Sequence, residues 1–177
     1  FSTFAGNPYF IDLDLLCRAG YLLPEEYTGI EWSSSPGQVD YGILYEKRYP
    51  VLRKAVERFL ASPEPDYAVF CRDNSFWLED YALFMALKNE HGGMPWNTWE
   101  VSIRNHDKSA VSAALERLSD EVTFYKVLQY LFFMQWTAFK TYTNGNGISL
   151  IGDLPIYVAY DSADVWAHPE LFQLDED

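Results

Sequence analysis

Three aspartates near the end of the chain are the first residues in which chemistry could reside. Asp153 lies within the apolar run Ile148 to Val158, and Asp161 and Asp164 lie just past it. A carboxylate inside an apolar run needs a hydrogen-bond partner or a task. Asp153 is therefore read either as an acceptor for backbone amides or as a functional acid, and Asp161 either as a loop or helix-cap acid or as a functional one. Paired carboxylates break glycosidic bonds. One protonates the leaving oxygen and the other attacks the anomeric carbon, and retaining enzymes hold the two about 5 Å apart. With 26 acidic residues, spacing alone singles out no such pair. Other chemistries lack their residues. His91, His106 and His168 have no neighbours at metal-ligand spacing, and Cys17 and Cys71 form no zinc or disulfide pattern, so no metal is expected. There is no G-x-S-x-G, no P-loop and no G-x-G-x-x-G. Asn144-Gly145-Asn146-Gly147 precedes an apolar run instead of opening a helix, so it reads as a turn. No cofactor is expected.

Composition narrows the partners. Aromatic residues make up 18% of the chain; most of these rings are read as a thick aromatic core, and some are expected as platforms for sugar faces. A formal net charge of −13 would repel nucleic acid and anionic membrane surfaces but leaves a neutral polymer such as a glucan open. No apolar run approaches the roughly 20 residues of a membrane helix. Two cysteines read as reduced suit a cytoplasmic protein. The chain opens on Phe1 without a basic-then-apolar leader, and the expectation is an internal piece of a longer protein.

These residues must be positioned by elements the pattern partly reveals. Tyr9 to Leu15 suggests a short strand or an extended entry to a helix, and residues 24–45 a surface loop. Apolar spacing of three and four predicts helices over about Tyr45 to Ala61, ended by the prolines of Ser62 to Asp66, and over Ser75 to Glu90. Met94 to Trp99 reads as a loop with two exposed tryptophans. A long helical stretch over Lys108 to Thr143 is so aromatic that it must be buried on most sides. After the Asn-Gly stop, Ile148 to Val158 reads as a buried parallel strand, the unit from which an α/β sheet or barrel is built. Loops leaving the C-terminal ends of barrel strands build active sites, which would place Asp161 and Asp164 there.

Five strings carry a more specific signal: STFAGNPYFID (Ser2 to Asp12), VDYGILY (Val39 to Tyr45), WLEDYALFMALK (Trp77 to Lys88), HGGMPWNTW (His91 to Trp99) and IGDLPIYVAYDSADVWAHPELFQLD (Ile151 to Asp175). In this order they resemble segments of the 4-α-glucanotransferases of glycoside hydrolase family 77. The resemblance implies an α/β fold, part of a (β/α)8 barrel of the α-amylase type. Residues 1–177 would be a partial catalytic barrel domain, with about 46–145 a mainly helical insertion, 148–158 a barrel strand and 159–177 an active-site loop. It implies a retaining transfer of α-1,4-glucan segments between maltooligosaccharides, with the nucleophile and acid/base lying downstream of this chain. On the matching positions, Asp161 resembles a substrate-contacting aspartate and Tyr45 a tyrosine of a second glucan-binding groove. Asp153, Trp166 and Asn7 are expected near the cleft, whereas Trp77, Tyr81 and Phe84 are expected in the core. The competing expectation is a glucan-binding module that lacks the catalytic carboxylates.

Overall fold

A computed structural model describes residues 2–35, 37–153 and 156–174. Among them all regular structure is helical. The α-helices are α1 (Leu13–Arg18), α2 (Tyr41–Ala61), α3 (Pro65–Asp73), α4 (Ser75–Glu90), α5 (Val101–Arg104), α6 (Lys108–Arg117), α7 (Ser119–Gly145) and α8 (Ala163–Ala167). The residues form two compact units. One comprises the described residues within Phe1–Ala5, Val69–Lys126 and Leu150–Asp177, and the other Gly6–Ala68 and Val127–Ser149. The boundary between them falls inside α3 and inside α7.

In the first unit α4 is the central element. Trp77, Leu78, Tyr81, Phe84 and Leu87 are all buried, a stripe wide enough to need covering on several sides. α8 packs against it. α4 ends where the sequence places two glycines. Gly92 and Gly93 take φ of 61° and 82°, and the Gly93 N–H donates to the Lys88 carbonyl at 2.7 Å. In the second unit α2 buries Val51, Leu52, Val56 and Phe59. The Phe59 ring lies 5.3–5.5 Å from the rings of Tyr21, Tyr67 and Tyr130.

The helix predicted over Ser75 to Glu90 is observed with those bounds. α2 starts earlier than expected, at Tyr41, because the Asp40 carboxylate accepts the Ile43 N–H at 3.1 Å and caps it. α3 was not anticipated. Pro65, read as a helix stop, instead occupies the first position of a new helix, where its missing N–H costs nothing. The stretch over Lys108 to Thr143 is two helices, divided at Leu118. α7 is largely buried from Val122 to Leu131, as a helix buried on most sides would be, but Trp136, Phe139 and Tyr142 towards its end are exposed.

The expected strand over 148–158, and with it the α/β class, is not observed among the described residues. Residues 148–153 and 156–158 carry no regular structure, and Ile151, Ile156 and Tyr157 are 97%, 89% and 89% exposed. Leu154 and Pro155 of this segment lie outside the described residues. A strand exists only through hydrogen bonds to a neighbour, and no described segment lies beside this one as a strand.

Candidate functional site

In the first unit the chain around Asp161 is fixed from both sides. Ser162 is buried and caps α8, its hydroxyl accepting the Val165 N–H at 3.3 Å. Trp166, one turn into α8, is 1% exposed. Its indole N–H donates to the Ile103 carbonyl at 2.9 Å, and its ring lies 5.9 Å from Phe84, 6.0 Å from Trp99 and 4.5 Å from His106. Trp166 is therefore an anchor for the segment and does not face a ligand. Trp77, Tyr81 and Phe84 are core residues, as expected.

Asp161 itself is an acid with one edge taken. Its Oδ2 forms an ion pair with the Lys88 Nζ, and its Oδ1 accepts the Trp96 backbone N–H at 3.4 Å. The side chain remains 32% exposed. An ionised carboxylate offers about four acceptor positions, so the open edge has capacity left for donors such as sugar hydroxyls. The Trp96 indole N–H donates to the Tyr160 carbonyl at 2.7 Å, and the two rings lie 5.1 Å apart. The two tryptophans of Met94 to Trp99 were expected to be exposed. They are not: Trp96 is 6% and Trp99 3% exposed, because each indole N–H finds a carbonyl, Trp99 using that of Met94 at 3.1 Å.

Asp164 has a different task. Its carboxylate accepts the Ser2 hydroxyl at 2.8 Å and the Thr3 N–H at 2.7 Å, pinning the start of the STFAGNP segment. A cleft of about 270 Å³ opens beside this latch, lined by Phe4, Phe76, Trp77, Asp164, His168 and Phe172. Asp153 is exposed, so the buried acceptor role considered for it is not observed.

Asn7 and Tyr45 lie in the second unit. Asn7 Oδ1 accepts the Tyr9 N–H at 3.0 Å and caps a 3-10 turn at Pro8–Phe10. The backbone around it is gripped by two side chains of α7. Gln129 accepts the Gly6 N–H at 2.8 Å and donates to the Gly6 carbonyl at 3.0 Å, and Gln135 does the same with Asp12 at 2.7 and 3.0 Å. Read from sequence, these glutamines merely interrupt an apolar stretch. The signal that was available is that a buried amide in an aromatic helix must find partners. Gly6 is required here, since a Cβ would overlap the Phe132 ring.

Tyr45 is 59% exposed on α2 and its ring meets that of Tyr49 at 5.6 Å. Tyr9 adds a third ring, 6.1 Å from Tyr49 and 6.4 Å from the exposed Tyr41. Burial pushes the Tyr49 hydroxyl up to about 12 and that of Tyr9 up as well, so both are protonated near neutral pH. The result is a tyrosine-rich surface in which Tyr41 and Tyr45 are exposed.

The family model described as 4-alpha-glucanotransferase matches residues 1–177. The chain belongs to that family. The 4-alpha-glucanotransferase of Thermus thermophilus is 47% identical over 181 residues, covering 100% of this chain and 35% of that protein. A relative from Streptococcus pneumoniae is 42% identical over 177 residues, covering 99% of this chain and 35% of its own length. Among solved structures, an amylomaltase from Streptococcus agalactiae in complex with acarbose superposes with a TM-score of 0.94 at 40% identity, covering 99% of this chain and 36% of that one. This chain therefore spans about a third of the length of the relatives it matches. The resemblance read from the five strings is thus borne out, and the helices described above are a helical part of that family's structure.

Proposed function

We propose that the longer protein to which this chain belongs transfers α-1,4-glucan segments between maltooligosaccharides, and that this chain supplies part of its glucan cleft. In that reading, residues 1–177 are part of a (β/α)8 barrel in which 46–145 form a mainly helical insertion. Residues 148–158 become a barrel strand once flanked by neighbours, and 159–177 an active-site loop. The exposed Ile151, Ile156, Tyr157, Trp136 and Phe139 support this, since apolar surface of that extent is normally covered. The reaction is a double displacement. A carboxylate outside this segment attacks the anomeric carbon while an acid protonates the departing 4-oxygen. The 4-hydroxyl of an acceptor sugar then displaces the carboxylate and returns its proton. No cofactor is needed, and the place of action is the cytoplasm.

The observation that carries this chain's part is Asp161, a carboxylate anchored by Lys88 and the Trp96 backbone N–H whose side chain remains 32% exposed. It accepts hydrogen bonds from glucan hydroxyls and takes no part in bond-breaking. Tyr45, with Tyr9, Tyr41 and Tyr49 around it, forms the second glucan groove. Asp153 and Asn7 lie near the cleft, and Trp166 supports the Asp161 loop from behind. The test is Asp161→Asn in the full-length protein, assayed by disproportionation of maltotriose. Transfer falls by about 100-fold or more, the scale of losing a well-placed charged contact. Near-normal transfer would remove Asp161 from the site. Glucan binding without any transfer by the full-length wild type would replace the enzyme by a binding module.

A further inference from the structure

We infer that Lys88 is a positioning residue for Asp161. The inference rests on the proposed role of Asp161 in holding glucan. Lys88 is the only charged residue among the buried described residues, at 6% exposure. It sits on the stripe Trp77, Tyr81, Phe84, Lys88 of α4, whose spacing of four, three and four places it on the same face as three core aromatics. An ammonium taken out of water is costly, and an ion pair in such a place is no more stabilising than a well-packed apolar side chain. Methionine or leucine would suit the stripe better, so stability does not explain a lysine there.

Geometry supplies the explanation. The ammonium has three donors. One is directed to the Asp161 carboxylate and another to the Met94 carbonyl at 3.3 Å, while Nζ lies 5.8 Å from the centroid of the Phe84 ring. Lys88 thereby ties the Asp161 loop to the turn after α4, the same turn whose Trp96 N–H reaches Oδ1. The exposures are asymmetric: 7% for the Lys88 side chain, 32% for that of Asp161. Lys88 is enclosed and the acid is open, so Lys88 acts through Asp161. It fixes the orientation of the carboxylate.

The experiment is a double-mutant cycle in the full-length protein, with kcat and KM for maltotriose and Tm measured on Lys88→Met, Asp161→Asn and the pair together. Lys88→Met lowers kcat/KM by about 100-fold, the cost of misplacing a contact by about 1 Å. Its split between kcat and KM reproduces that of Asp161→Asn, and the double variant is no worse than Asp161→Asn alone. Lys88→Gln, which keeps a neutral donor, loses about 10-fold, the lower range for an orienting partner. Losses that multiply in the double variant, or a fall in kcat at constant KM tracking the folded fraction, would show a merely structural lysine. Normal transfer by Lys88→Gln and Lys88→Met beside a defective Asp161→Asn overturns this inference alone. Normal transfer by Asp161→Asn overturns the site reading and the inference together.

Discussion

Each unit holds a carboxylate against a cation, and the two pairs are turned in opposite directions. In the first unit the cation is enclosed and the acid is open, with side-chain exposures of 7% for Lys88 and 32% for Asp161. In the second unit the acid is enclosed and the cation open, 12% for Glu26 and 36% for Arg58. Glu26 uses its capacity inward. It meets Arg58 in two bonds of 2.6 and 2.9 Å and accepts the Leu23 N–H at 2.9 Å, while Arg58 also donates to the Tyr21 carbonyl at 3.1 Å. That pair closes a loop onto α2. The pair of Asp161 and Lys88 leaves an acceptor facing outward. Exposure alone does not sort such pairs, since Lys126 and Glu79 show the same asymmetry at 18% and 45%; what sets Asp161 apart is that its partner is enclosed among core aromatics.

The contrast extends to what supports each unit's candidate residues. Asp161 stands on a buried charge, whereas Asn7, Tyr9 and Tyr45 stand on shape: amide clamps, edge-to-face rings and a glycine under a phenyl ring. The largest effect in the second unit therefore comes from a change of one methyl group. Gly6→Ala drives a Cβ into the Phe132 ring and destabilises the full-length protein by about 1–3 kcal/mol, the usual cost of overpacking. The check is a denaturant titration. Gly6→Ala combined with Phe132→Leu recovers part of the loss, since the smaller side chain makes room. An unchanged midpoint for Gly6→Ala would mean that the segment is held by the Gln129 and Gln135 clamps alone.

The same contrast governs what was legible in the sequence. α4 was found with its bounds because Trp77, Tyr81, Phe84 and Leu87 repeat at helical spacing and Gly92-Gly93 end it. Short helices begun by proline escape such a reading, and α3 shows why: Pro65 looks the same as a stop and as a first residue. The run at 148–158 has the composition of a buried strand, but composition does not supply the neighbour that a ladder requires. Trp96 and Trp99 were misjudged for the converse reason. Flanking Gly and Pro suggest a loop at the surface, yet two carbonyls satisfy both indoles in the interior. Asp161 was found from its place past the apolar run and through its family string, and Lys88 was passed over within another string. Its position on the apolar stripe of α4 was the available clue.

A smaller effect belongs to the tyrosine surface. Tyr45→Ala removes a ring that is 59% exposed and whose place is set by Tyr49, so packing changes little and ligand contact changes most. Binding of a long maltooligosaccharide to the full-length protein weakens by about fivefold, corresponding to about 1 kcal/mol for one aromatic platform. Isothermal titration calorimetry measures it. Unaltered affinity would detach the tyrosine surface from glucan binding and leave Asp161 as the contact this chain provides.

The smallest effect is the acid response of the structural pair. Hydrogen bonding to Arg58, helped by the Leu23 N–H, lowers the Glu26 carboxyl from its ordinary 4.5 to about 2. A carboxyl lowered by folding stabilises the folded state wherever it is ionised in both states, so its contribution is full above pH 4.5. The contribution declines as pH falls through 4.5 toward 2, because the unfolded chain takes up the proton first. Glu26→Gln removes that term at every pH. The stability gap between wild type and Glu26→Gln, from urea unfolding, is therefore widest near neutrality, narrows below pH 4.5 and closes toward pH 2. Added salt narrows it further, since Arg58 is partly exposed. A gap independent of pH would mean that Glu26 acts through its backbone contact with Leu23 and not through its charge, and the Glu26–Arg58 pair would cease to be the structural counterpart of Asp161 and Lys88.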